Sequence, residues 1–208
     1  MDLSGLIYPG RLVTALFDAL RQTAGPSSVG RALDAAGLPR DLPTAAKTAT
    51  DGLDFAQVAA FSEALETLYG VRGGRGIALR TGNALFEQGL RDYGAMVGVV
   101  APQFQRLSVE QQAHLGLVGM AHIFSHISDQ ASSIDDHETS WAFIVDPSPF
   151  AWNRISDEPV CHVLTGMLQA SLRQATGGYQ FVVYETACRA TGADQCVFRV
   201  NKKPVGRV

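Results

Sequence analysis

Apolar positions follow one period over roughly the first two thirds of the chain and another after about Ala131. In the first part they recur every three or four residues, which marks helices with one buried face. Leu12, Leu16, Ala19 and Leu20 share a face within residues 9–25, which open on Pro9 and stop at Gly25. A shorter helix is predicted between Pro26 and Gly37, and residues 40–51 show no period and read as a loop or linker. Phe55, Val58, Ala59, Ser62, Leu65 and Tyr69 then line one face of a strongly periodic helix. Ser108 and Gln111 stand at capping-box spacing before a long helix in which apolar residues wrap most of the surface. From Ala131 the period becomes two. Residues 132–146 predict a β-hairpin turning near Asp136 and His137, with Trp141, Phe143 and Val145 on one face. A helix follows, capped by Ser156 or Asp157, with Pro159 in its first turn and Gly177–Gly178 at its end. A strand, a turn around Gly192 and a returning strand complete the chain.

These elements predict an α+β fold: N-terminal helices followed by a small antiparallel sheet, built as hairpin–helix–hairpin, with helices packed on it. The expected division is a helical extension over 1–50 and a main domain over 51–208.

Composition narrows the function. With 208 residues, 46% hydrophobic content and a net charge of −3, the chain reads as a globular protein with a sizeable core. No block of Lys and Arg is present to neutralise phosphates, so a nucleic-acid partner is not expected. The apolar segments are interrupted too early to span a bilayer, and the start lacks the features of a signal peptide. A cytoplasmic location is the expectation. The Gly-rich stretch after Tyr69, "GVRGGRG", matches neither phosphate-binding glycine order and reads as a helix start with small residues for close packing.

The chemistry concentrates near the C-terminus, in "YETACRATGADQCVF". Cys188 and Cys196 are equidistant from Gly192, so a turn there sets them opposite each other across a strand pair. Glu185 is three residues before Cys188 and on a regular strand would face the other way. The two converge only if the strand bends or bulges at Thr186–Ala187. Cys161 opens the preceding helix, where a thiolate is favoured. Three thiolates and a carboxylate suit a closed, structural tetrahedral Zn²⁺ site, with Arg189, Arg199 or Lys202 near enough in sequence to offset its charge. Three other readings stay open from spacing: buried apolar cysteines, a Cys188–Cys196 disulfide, and a catalytic thiol at Cys161 beside His162.

The arrangement of Cys161, Gly166, Glu185, Cys188, Gly192 and Cys196 closely resembles the 4-vinyl reductase domain, a hydrocarbon-binding family. That domain has a Cys opening a helix, a Gly within it, a strand bearing E-x-x-C, a Gly-containing turn and a last Cys before an apolar strand. The motif core is residues 135–201. The family includes a protein tied to bacteriochlorophyll synthesis and the sensing domains of regulators of aromatic-hydrocarbon catabolism. Haem-based nitric-oxide sensors and Golgi-transport subunits share its general fold. The resemblance implies that Cys161, Glu185, Cys188 and Cys196 bind zinc. It further implies a homodimer and an apolar cavity between helices and sheet, which makes 51–208 a ligand-binding domain. Free-standing members carry a Cys-Pro-x-Cys-Trp-x-Arg stretch before the helix. Here Trp152 and Arg154 remain, but Ser148 and Ala151 replace the cysteines.

Candidate ligand-binding residues are Phe86, Leu90, Met120 and Phe124 from the helices and Trp141, Phe143 and Trp152 from the C-terminal part. His122 and His126 stand one helical turn apart and are added as groups able to hold a metal or a ligand hydroxyl. No dinucleotide fingerprint and no further cysteine cluster supports an electron carrier. The expected function is therefore non-catalytic binding of a hydrophobic small molecule (aromatic, lipid-like or tetrapyrrole), as sensor or carrier, with a regulatory or biosynthetic protein as partner. The alternative is an enzyme or accessory protein of 4-vinyl reduction in chlorophyll-type pigment synthesis.

Overall fold

The fold is described from a computed structural model over residues 2–48, 52–87 and 101–208. A two-residue strand β1 (Ile7–Tyr8) leads into α1 (Gly10–Ala24), α2 (Ser28–Ala35) and α3 (Leu42–Thr48). β2 (Leu53–Asp54) pairs with β1 and runs into α4 (Phe55–Leu85). After the short α5 (Pro102–Gln105) comes α6 (Val109–Ile127), then the hairpin β3 (Ser132–Asp136) and β4 (Ser140–Val145). α7 (His162–Ala175) is followed by β5 (Tyr179–Gln180), β6 (Val183–Ala187), β7 (Cys196–Asn201) and β8 (Gly206–Arg207). The main sheet is antiparallel, in the order β3-β4-β7-β6, and β5 and β8 form a separate ribbon. This is the expected α+β arrangement. Among the described residues no helix is long and apolar enough to cross a membrane.

The helices stand where the period-3.6 pattern places them, with three differences. Residues 42–48, read as loop, are helical. The Asp41 carbonyl accepts the N–H groups of Thr44 and Ala45, Pro43 occupies the first turn, and Ala46 is buried in the core. α4 is not one straight helix. Gly70, at φ 71°, breaks it before Val71, and the second half packs so closely against the first that a Cβ on Gly74 would lie 2.6 Å from Glu66 Cα. α7 starts at His162 rather than near Ser156. The Ser156 hydroxyl accepts the Glu158 N–H in a local turn instead of capping the helix. By contrast, the capping box of Ser108 and Gln111 forms as expected at the head of α6, and a second one, Asp54 with Gln57, opens α4.

α1 and α2 pack on α4, α4 packs on α7, and α7 lies between α4 and the sheet beside α6. One continuous apolar core runs through these layers, from Tyr8, Phe17 and Phe61 to Trp141, Phe143 and Phe198. The α4–α7 contact is made backbone to backbone. A Cβ on Gly82 would lie 1.9 Å from the Val163 carbonyl oxygen, and one on Gly166 2.0 Å from that of Leu79. Glycine at both positions lets the two helices touch, and this fixes the height at which the head of α7 meets the sheet.

Candidate metal centre

Cys161 is the N-cap of α7, Glu185 lies on β6, Cys188 follows that strand, and Cys196 begins β7. The pairing of β6 with β7 shifts register between Glu185 and Ala187. This is the bulge the spacing demanded, and it turns Glu185 toward the thiols. A short 3-10 turn over Arg189–Thr191 and a left-handed Gly192 then bring the chain back. The three sulfurs and a Glu185 carboxylate oxygen all lie within 4.8 Å of one another. Cys161 Sγ is 3.7 Å from Cys196 Sγ, which is 3.9 Å from Cys188 Sγ. All three cysteines are free thiols and fully buried, so the disulfide reading does not hold. Cys161 Sγ meets Ser148 Oγ at 3.3 Å rather than the His162 ring.

Backbone groups complete the setting. The Cys161 N–H donates to Glu185 Oε2 at 2.9 Å, and the Arg189 N–H donates to Cys196 Sγ at 3.4 Å. Glu185 Oε1 is buried with no hydrogen-bond partner. An unpaired buried carboxylate oxygen costs several kcal/mol unless a cation or donor meets it (~1–3 kcal/mol for a neutral group, more for a charged one). The basic side chains suggested from sequence do not serve here. Arg189 pairs with Asp146 at 2.5 Å, and Lys202 pairs with Asp136 at 2.6 Å.

Four acidic groups this close do not all ionise without a cation. Hydrogen bonds from the Cys161 and Cys196 thiols hold Cys188 well below the usual thiol range. Burial, then the Cys188 charge, pushes Glu185 up to about 8. Burial, followed by the contacts with Cys188 and Cys196, raises Cys161. Cys196 is drawn down by Cys161, but Cys188 and burial together carry it above its ordinary value. The donor set fits a divalent ion. Sulfurs about 2.3 Å from a tetrahedral Zn²⁺ stand about 3.8 Å apart, close to the separations observed, and the free oxygen of Glu185 supplies the fourth donor.

The other sequence candidates divide. Phe86, Met120, Phe124, Trp141 and Phe143 are all buried in the common core, and Trp152 is half-buried against Phe55, with ring centroids 6.5 Å apart. Trp141 lies between His114, stacked at 5.8 Å, and the Lys202 ammonium at 5.5 Å. Its edge borders a surface groove with Ser108, Gln111, His114 and Asp136. His122 and His126 are exposed on α6, and Leu90 lies outside the described residues. Sequence reasoning misses two features of the site, the contact of Ser148 with Cys161 and the orphaned oxygen of Glu185. The signal for the first is present in the sequence, since Ser148 stands where related chains carry a cysteine.

The architecture defines a class first. The fold is that of the H-NOX domains. A Tt H-NOX carrying two substitutions to phenylalanine is 14% identical with a TM-score of 0.56, covering 97% of this chain and 98% of that one. An H-NOX protein from S. oneidensis in the Fe(II)NO ligation state is 14% identical with a TM-score of 0.55, covering 96% and 100%. The phenol-responsive sensory domain of the transcription activator PoxR, with phenol, is 18% identical with a TM-score of 0.51, over 72% of this chain and 74% of that one. The family follows: residues 141–202 match the model of the 4-vinyl reductase domain, so the resemblance to that family stands. No curated protein matches the chain in sequence.

Proposed function

We propose that this chain is a small-molecule-binding module whose C-terminal part is held together by a structural zinc ion on Cys161, Glu185, Cys188 and Cys196. The observation that carries the metal is the buried Cys₃Glu set with tetrahedral sulfur spacing and one carboxylate oxygen left without a partner. Such an ion ties the head of α7 to the β6–β7 turn. It is closed to substrate, so it serves architecture rather than catalysis.

The ligand is an uncharged aromatic or similarly apolar molecule. Support comes from the fold shared with the phenol-bound PoxR sensory domain and from the aromatic residues Phe86, Phe124, Trp141 and Phe143 in the helix–sheet core. A histidine-ligated haem is the weaker reading, because none of the five histidines is buried. The role is that of a sensor or carrier, and output to another protein follows from binding rather than from chemistry.

Native mass spectrometry tests both parts. One zinc per chain is expected, together with retention of a phenol or larger aromatic and no Soret band in the absorption spectrum. Carefully purified protein with no metal would remove the zinc assignment. Thermal stability indifferent to a broad panel of aromatic compounds would remove the ligand class.

A further inference from the structure

His122 and His126 have no part in the core or in the cysteine cluster. Both are exposed on α6 one turn apart, and their rings lie together with centroids 3.8 Å apart and planes inclined by 39°. His126 Nδ1 sits 2.9 Å from the backbone carbonyl oxygen of His122. A carbonyl oxygen only accepts, so this nitrogen carries a proton and donates it. In the neutral ring the lone pair is then on Nε2, and the ring is fixed by a hydrogen bond to a carbonyl, as metal-binding histidines commonly are.

The electrostatics favour a cation. His126 is in the last turn of α6, where the helix dipole presents its negative end, and no Lys or Arg lies on the helix. His126 also borders a depression with Ser125, Ser128 and Asp129. Asp129 accepts the Ile7 N–H with Oδ2 at 2.7 Å, so its carboxylate is anchored beside the pair.

We propose that His122 and His126 form a surface chelate for a borderline divalent transition ion such as Zn²⁺, Ni²⁺ or Cu²⁺. His126 binds through Nε2, His122 contributes a ring nitrogen, and the remaining positions are filled by water or by a donor from outside the chain. Imidazole pairs suit these ions, whereas hard ions such as Mg²⁺ prefer oxygen donors. The site differs in kind from the cysteine cluster: one is buried and closed, the other exposed and open to exchange.

Zinc-equilibrated, desalted full-length chain is titrated with Ni²⁺ by calorimetry. One Ni²⁺ per chain is expected. His122→Ala and His126→Ala should each weaken binding about tenfold or more, and the double variant should abolish it. His137→Ala, at another exposed histidine, should leave it unchanged. Both histidines are exposed, so circular dichroism of the variants should match the parent chain. Nitrogen hyperfine structure in the Cu²⁺ resonance spectrum should be lost in the double variant. Ni²⁺ binding that is absent in the parent, persists in the double variant, or falls equally in His137→Ala overturns the proposal.

Discussion

The N-terminal helices and the C-terminal sheet region share one core, yet they are held in different ways. α1, α2 and the first half of α4 meet through apolar contact. Phe17 and Phe61 pack edge to face at 5.0 Å, and Tyr8 meets Phe55 at 6.4 Å. The C-terminal region places three thiols and a carboxyl in its interior, where unbalanced charge is expensive. Apolar packing is complete as folded; a polar cluster of this kind is complete only with the partner its donors imply. The first region should therefore respond to changes in volume, and the second to changes in metal and protons.

The largest effect should come from removing the ion. Chelation, or Cys196→Ser, should destabilise by at least about 5 kcal/mol, well inside the roughly 10–16 kcal/mol binding free energies of structural zinc. For a chain of this size that is a fall in Tm of roughly 10–20 °C. Differential scanning calorimetry with and without chelator measures it, and an unchanged Tm would end the distinction between the two regions. Next is Phe61→Ala, which empties a fully packed site on α4. It should cost about 3–4 kcal/mol in denaturant unfolding while zinc stoichiometry by elemental analysis stays the same.

The sequence shows these two regions unequally. The period-two segments, the head of α6 at Ser108 and the gathering of the four donors are readable because local rules and a specific spacing agree there. Even the bulge beside Thr186 follows from requiring Glu185 and Cys188 to face one point. The break at Gly70 is not readable, since helical periodicity continues on both sides and only backbone contact with Glu66 reveals the turn. The short α3 is hidden because seven residues give too few turns for a period to appear. The exposure of His122 is hidden for a different reason. α6 is apolar nearly all round, with Leu115 and Val118 exposed as well, so the pattern does not say which face turns inward.

Gly166→Ala tests whether the regions communicate. The new Cβ would meet the Leu79 carbonyl at 2.0 Å, so α7 must move away from α4. Overpacking of this kind should cost about 2–3 kcal/mol. Because Cys161 caps the same helix, metal affinity in a competition titration should fall as well. A loss of stability with unaltered affinity would show that the cluster holds its geometry independently of the helix behind it.

The smallest effect should be found at Asp54, where the N-terminal region relies on a charge. Its Oδ1 accepts from the Ser4 N–H at 3.0 Å and the Ala56 N–H at 2.7 Å, and its Oδ2 from the Gly5 N–H at 2.8 Å. Burial works against the ionised form, but these bonds outweigh it and hold the carboxyl below its ordinary range. The folded value lies below the unfolded one, so the stabilisation is present above the unfolded carboxylate range and is lost as pH falls through the folded value. Asp54→Ala should therefore cost about 1–2 kcal/mol at pH 7, the usual worth of a helix cap, and less under strongly acidic conditions. The measurement is a pair of urea titrations at pH 7 and pH 3 on parent and variant, both kept saturated with zinc where it binds. A deficit that grows toward low pH would show that Asp54 acts as spacer rather than as charge, and would place the N-terminal region wholly under the rule of packing.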